Sequence, residues 1–263
     1  MIAPSLISQH YKENYIEIED FGDLTVFKKF KKKTANKKNY YKNILDLLLK
    51  IKKIKIKNQK TFLKTNFKVP NYTSKMLLDE SNLFIEWYLQ KHFKGKKKKS
   101  LEKELKKIFK KLLRNISYKE KVFVHRDFHV SNIMITKKGL GLIDSQDAVY
   151  GNIAYDLASL IDDVRLKTNI KIKDFIFHEF LKKNKNLDHK KFKNDFDILS
   201  VLRNFKIIGI FTRLSMRDNK NKYLKLIPYA WKLIELRTSK NPIFKDLNYI
   251  LAKNFDKKKR KLI

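Results

Sequence analysis

A chain of 263 residues suffices for one ordinary domain or two small ones sharing a core, and 43% hydrophobic with 13% aromatic residues excludes wholesale disorder. It carries 62 Lys and Arg against 27 Asp and Glu, a formal net charge of +35, yet only eight of the cations are Arg. Nucleic-acid readers lean on the bidentate guanidinium, so a lysine excess spread along the whole chain reads as solvated surface, and nucleic acid is not the expected partner.

Cys is absent, which removes disulfides, thiol catalysis and Cys-ligated metals. Met1 to Ser8 has no basic segment and no sustained apolar run, and no stretch of 18 apolar residues follows anywhere. The expectation is a cytoplasmic protein with no membrane partner.

In chain order, Tyr15 to Ile18 predicts a short strand that Glu19-Asp20-Phe21-Gly22-Asp23 breaks. Lysine-rich sequence follows from Lys28 to Lys38. Ile44, Leu47, Leu48, Ile51 and Ile54 then recur at helical spacing. Pro70 and Asn71 mark a boundary before a long helix carrying Met76, Leu77, Phe84, Trp87 and Tyr88. Lys94 to Lys99 reads as an exposed turn, with Ser100 capping a helix whose apolar face is Leu101, Leu105, Ile108 and Leu112. Val122 to Val124, Ile133 to Ile135 and Leu140 to Ile143 read as three strands, with Lys137-Lys138-Gly139 as a turn. Helical patterns resume at Ala154 and run to the end, with Pro228 and Pro242 as breakers.

The segment from Gly139 to Asp163 inverts the charge balance. Its 25 residues contain no Lys or Arg but five aspartates: Asp144, Asp147, Asp156, Asp162 and Asp163. At the chain's overall frequency about six cations would fall in such a window. Ammonium groups would compete with a bound divalent cation, and Mg²⁺ favours hard carboxylate and amide oxygens.

Just upstream stands His125-Arg126-Asp127-Phe128-His129-Val130-Ser131-Asn132. An aspartate, an asparagine five residues on, a strand pair and then Asp144 is the catalytic-loop arrangement of kinase-type phosphoryl transfer. Asp127 would orient the attacking hydroxyl and accept its proton, while Asn132 and Asp144 would hold Mg²⁺ against the phosphates. A rival reading takes His125, Asp127 and His129 as a metal triad on one strand face. It leaves Asn132 and the aspartates unexplained, and His125 is expected to support the loop instead.

These stretches, with Gly141-Leu142-Ile143-Asp144-Ser145-Gln146-Asp147-Ala148 and Gly151…Tyr155-Asp156-Leu157-Ala158, resemble the aminoglycoside-phosphotransferase-like kinases. Phe84-Ile85-Glu86-Trp87-Tyr88-Leu89 and the Leu202-Arg203…Lys206…Arg213…Arg217-Asp218 segment resemble more closely the anomeric N-acetylmuramate/N-acetylglucosamine kinases. The resemblance implies an α+β protein-kinase-like fold, mostly the helical C-terminal lobe with an incomplete N-terminal lobe. Residues 1–27 would be the remnant of the small lobe and hinge, and 28–263 the large lobe, with the catalytic hairpin at 121–145. It implies ATP and Mg²⁺ as cofactors and a small-molecule substrate, an amino sugar phosphorylated on its anomeric hydroxyl. Glu19 and Phe21 would belong to a hinge meeting adenine, Asp156 would brace the catalytic loop, and Glu86 and Trp87 would line the sugar pocket. No glycine-rich phosphate loop and no strand lysine precede the hinge. Two alternatives therefore stand beside the kinase: a non-catalytic sugar- or partner-binding relic, and a polybasic nucleic-acid binder using Lys28 to Lys60 and Lys94 to Lys99 with Phe27, Phe30, Tyr40 and Tyr41.

Overall fold

The structure, a computed structural model, describes residues 2–32, 36–56, 59–60 and 64–261, so parts of the Lys28 to Lys60 run lie outside the described residues. Along the chain come strands β1 (Leu6–His10) and β2 (Tyr15–Ile18), helices α1 (Val26–Phe30) and α2 (Lys37–Lys52), and strands β3 (Gln59–Lys60) and β4 (Asn66–Phe67). Helix α3 (Ser74–Leu83) runs through a π-helical turn (Phe84–Leu89) into α4 (Gln90–His92), and α5 (Gly95–Arg114) follows. Next stand β5 (Lys121–Val124), β6 (Ile133–Thr136), β7 (Gly139–Leu142) and β8 (Val149–Asn152). The remainder is helical: α6 (Tyr155–Ile161), α7 (Ile170–Lys182), α8 (His189–Asp218), α9 (Ile227–Thr238), α10 (Lys245–Asn254) and α11 (Lys257–Lys261).

The chain divides into two compact units, one of residues 1–71, 120–161 and 168–186, the other of 72–119, 162–167 and 187–263. In the first, the expected Tyr15 to Ile18 strand forms and pairs antiparallel with β1, which the sequence pattern did not reveal. Leu6 and Ile7 of β1 and Ile16 and Ile18 of β2 are all exposed, so no face alternation marks β1 as a strand. Helix α2 buries Ile44, Leu47, Leu48 and Ile51 as their spacing predicts, while Ile54 falls beyond its C-terminus. Asn36 caps it by accepting the N–H of Asn39 at 3.2 Å.

β6 and β7 form the expected hairpin around Lys137-Lys138. β5 joins neither of them; it pairs antiparallel with β8, a strand absent from the sequence-based reading. Val149-Tyr150-Gly151-Asn152 has Gly and Asn in its second half, which hides a strand from a propensity argument. The hairpin is extended on both sides: Leu142 N–H donates to Ile2 at 2.9 Å, and Ile135 N–H to Leu24 at 2.8 Å.

In the second unit the Lys94 to Lys99 expectation fails. Gly95 to Arg114 is one helix, begun at Lys94 rather than at Ser100. Ser100 lies inside it with its hydroxyl on Glu104 at 2.8 Å, and burial of Leu101, Leu105, Ile108, Phe109 and Leu112 carries the helix past the unfavourable lysines of its first turn. Pro228 and Pro242 start helical segments rather than break them, because a first-turn position needs no N–H. An aromatic cluster of Phe84, Tyr88, Phe205, Trp231 and Phe255 fills the centre of this unit, with Trp231 Nε1 donating to the Tyr88 hydroxyl at 3.1 Å. Burial pushes the Tyr88 hydroxyl well above the ordinary tyrosine pKa. α8 crosses the α3/π junction at Gly209, where a Cβ would lie 2.3 Å from the carbonyl carbon of Leu83.

Candidate active site

β5 ends at Val124, and the loop Val124 to Asn132 that follows is shaped by one side chain. The buried carboxylate of Asp156 on α6 accepts the N–H of His125 at 2.7 Å and that of Arg126 at 3.0 Å. This holds Arg126 at φ +72°, a conformation that L residues rarely adopt unaided. Phe128 and Val130 anchor the loop in the core, and Phe27 N–H of α1 donates to Val130 at 2.9 Å. Between these anchors Asp127 is left half-buried.

His125 is fully buried, and its Nε2 lies 3.1 Å from the carbonyl of Ile143 on the way to Asp144. Burial lowers its pKa below the ordinary value, against the opposing charge of Asp127, so the ring is neutral at pH 7. The imidazole is a strut between the loop and the end of β7. Among the described residues no three His, Asp or Glu side chains converge as a metal-binding group, and the His125–Asp127–His129 triad therefore has no geometric counterpart.

The hairpin returns Asp144 to the loop. Asn132 Nδ2 donates to the Asp127 carbonyl at 3.1 Å and to Asp144 Oδ2 at 3.2 Å. Asp144 is exposed and has φ +69°, and its Oδ1 accepts from Gln146 Nε2 at 2.5 Å. Arg126 Nη1 donates to the carbonyl of Asp147 at 3.2 Å, tying the loop to the segment after Asp144. Asp127, Asn132, Asp144, His125 and Asp156 are thus brought together within one unit. Gln146 is a member that sequence reasoning passed over, although it stands inside the lysine-free window two residues from Asp144.

The five aspartates of that window do not converge. Asp144 faces the loop and Asp156 braces it, whereas Asp162 is buried in a bidentate pair with Arg237 at 2.7 and 2.9 Å and Asp163 pairs with Arg165 at 3.3 Å. The window excludes cations for two reasons, an open carboxylate site and buried carboxylates with designated partners.

The ring of Phe21 lies against Gly141 of β7, so close that a Cβ there would sit 2.7 Å from it. Glu19 accepts from the Ser5 hydroxyl at 3.1 Å and its N–H donates to the Ser5 carbonyl at 2.8 Å. Phe21 thereby touches the strand that leads to Asp144, while the Glu19 side chain lies between Ser5, just before β1, and Lys138 of the β6–β7 turn, 3.9 Å away. Glu86 and Trp87 lie on the π-helical turn of the other unit, exposed and half-buried respectively.

Known proteins resemble this chain in sequence and in fold. Residues 30–179 match the phosphotransferase enzyme family. The N-acetylmuramate/N-acetylglucosamine kinase of Pseudomonas aeruginosa is 26% identical over 256 residues, covering 95% of this chain and 72% of that protein. The kinase of the same description from Neisseria meningitidis serogroup B is 34% identical over 167 residues, 61% of this chain and 50% of that protein. Among solved structures, an ethanolamine kinase of Plasmodium vivax superposes with a TM-score of 0.58 at 16% identity, over 93% of this chain and 70% of its own. An ADP-bound aminoglycoside phosphotransferase gives 0.56 at 16% identity, over 89% and 75%. These likenesses show the fold: α+β, of the protein-kinase-like kind, with the helical lobe dominant. Among the described residues no helix is long and apolar enough to cross a membrane.

Proposed function

The chain belongs to the phosphotransferase enzyme family, and from that premise we propose that it transfers the γ-phosphoryl group of ATP to the anomeric hydroxyl of an N-acetyl amino sugar. It is a small-molecule kinase, and the two relatives above carry the amino-sugar part of the reading by their names. The observation that carries the chemistry is the contact of Asn132 with both the Asp127 backbone and the Asp144 carboxylate.

In this reading Asp127 accepts a hydrogen bond from the acceptor hydroxyl and takes its proton as the oxygen bonds to the γ-phosphorus. The bond from phosphorus to the bridging oxygen breaks, and ADP leaves with that electron pair. The Asp127 carbonyl accepts from Asn132 Nδ2 and from the His129 N–H, which fixes the backbone at this residue. Asn132 and Asp144 offer one amide and one carboxylate on an exposed edge, a hard-oxygen set that fits Mg²⁺ and leaves room for water and phosphate oxygens. When bound, that ion would neutralise charge on the β- and γ-phosphates. Gln146, hydrogen-bonded to Asp144 Oδ1, stands beside that set. Glu19 and Phe21 would border the adenine, and Glu86 and Trp87 would face the sugar.

The test is ATP consumption by the purified chain with N-acetylmuramate or N-acetylglucosamine as acceptor. Sugar-dependent turnover that Asp127→Ala abolishes is the expected result. Undiminished turnover in that variant would remove Asp127 from its role.

A further inference from the structure

Helices α3 and α5 and the loop after α5 border a cleft of about 430 Å³, built from residues of the second unit alone. Leu78 and Leu113 give it an aliphatic floor, and Ser74 adds a hydroxyl. The rest of the wall is cationic: Lys75 from α3, Lys110 and Arg114 from α5, and Lys119 from the loop. No Asp or Glu lines it.

This gathering differs from the solvated lysines elsewhere. On the same helix Lys106 pairs with Glu102 at 2.6 Å and Lys111 with Asp246 at 2.8 Å. Among the described residues none of the four cleft cations has an ion-pair partner. Lys110 and Arg114 lie one turn apart on one face of α5, where like charges repel. Lys75 is placed less favourably still. It stands in the first turn of α3, which holds no acidic residue, at the end of a helix that disfavours cations.

The loop that completes the cleft is fixed from beneath. Buried Asp195 accepts the N–H of Ser117 at 2.7 Å and that of Tyr118 at 2.9 Å, and the Tyr118 hydroxyl accepts the N–H of Asp188 at 2.7 Å. Lys119 follows directly, so its backbone position is preset. A cleft lined by one sign of charge focuses the field and concentrates counter-ions. A carboxylate carries one charge, whereas a phosphomonoester carries nearly two and presents three acceptor oxygens. Such a group can meet the Arg114 fork while Lys75, Lys110 and Lys119 act as point charges around it.

We propose that this cleft is a binding site for a phosphomonoester joined to an apolar body, the phosphate held among the four cations and the body laid on Leu78 and Leu113. It is a site additional to the reacting loop, which belongs to the first unit, and it does not depend on the kinase reading. All four cations are exposed at the surface, so their substitution leaves the core intact.

The probes are hexyl phosphate, inorganic phosphate and hexanol, titrated by calorimetry at low ionic strength. The proteins are wild type, Lys110→Gln/Arg114→Gln and, as an equal loss of charge elsewhere on α5, Lys96→Gln/Lys97→Gln. Wild type is expected to bind hexyl phosphate saturably, at least about threefold more tightly than inorganic phosphate, and hexanol not at all. Lys110→Gln/Arg114→Gln should weaken hexyl phosphate about tenfold, and Lys96→Gln/Lys97→Gln less than about twofold. The ligand-free thermal midpoint of the first variant should hold or rise, because like charges are removed. Equal losses in the two variants would mark attraction to bulk charge and overturn the site. Non-saturable binding by wild type, or inorganic phosphate bound as tightly as hexyl phosphate, would overturn it too. Vesicles of phosphatidylcholine with and without phosphatidic acid then distinguish the source of the phosphate. Sedimentation that needs phosphatidic acid and that Lys110→Gln/Arg114→Gln alone loses assigns it to a lipid headgroup. Sedimentation absent, or equal in all three proteins, assigns it to a soluble ester.

Discussion

Asp156 Oδ1 accepts the backbone N–H of Arg126 at 3.0 Å, and Arg126 sits at φ +72°. A buried carboxylate on a helix thus stabilises an unfavourable backbone conformation one residue before Asp127. Asp156→Asn keeps the volume and turns one acceptor into a donor facing an N–H. It should lower stability by about 1–3 kcal/mol and sugar-dependent turnover by about 10- to 100-fold. Denaturant unfolding and ATP consumption measured on the same preparation check both.

Asp144 is exposed and contributes little to packing, so its removal separates chemistry from folding. Asp144→Asn should leave the thermal midpoint within about 1–2 °C of wild type, as surface substitutions do. Turnover should fall about 100-fold or more at fixed Mg²⁺, with higher Mg²⁺ recovering part of it. A Mg²⁺ titration with the same half-maximal concentration as wild type would exclude Asp144 as a ligand.

Lys52 provides a pH test. Burial, helped by Lys53 and opposed by Glu120, lowers its pKa from 10.5 to about 8. Between pH 8 and 10.5 the unfolded chain therefore binds more protons here than the folded one, and the contribution of this site to stability rises with pH. Below pH 8 the penalty of the charged amine is present in full; above 10.5 it is gone. Lys52→Met also loses the 2.6 Å hydrogen bond to Asn184, so the informative quantity is the slope. The midpoint of the variant relative to wild type should be highest near pH 7 and decline steadily through pH 8 to 10. A flat difference would contradict the shift.

Gly209→Ala sets two effects against each other. Ala gains about 1 kcal/mol of helix propensity over Gly, but its Cβ would meet the Leu83 carbonyl carbon at 2.3 Å. Neither helix backbone can retreat cheaply, and overpacking costs about 1–3 kcal/mol or more. The net result should be a midpoint several degrees lower. Thermal unfolding of this single variant decides which effect is larger.

The hairpin that returns Asp144 to the Asp127–Asn132 loop was legible, because the proposed chemistry requires particular residue types at particular separations and the strands between them are marked by their apolar runs. Helix α2 was legible for a different reason, since its apolar residues fall on one face. Strand β8 and the pairing of β5 with it were not, because a strand containing Gly151 gains its place from its neighbours rather than from propensity. The start of α5 was misread because local signals, four lysines and a serine, are overridden by tertiary burial of the residues that follow. The hydrogen bond of Gln146 to Asp144 is invisible to any pattern, since it is defined by which atoms lie within bonding distance.

The π-helical turn from Phe84 to Leu89 begins where α8 passes with no side chain between the two backbones. A π turn holds one residue more than the α-helix around it. At Gly209 no side chain separates that turn from α8, so the two backbones are in direct contact and neither helix can shift there without displacing the other.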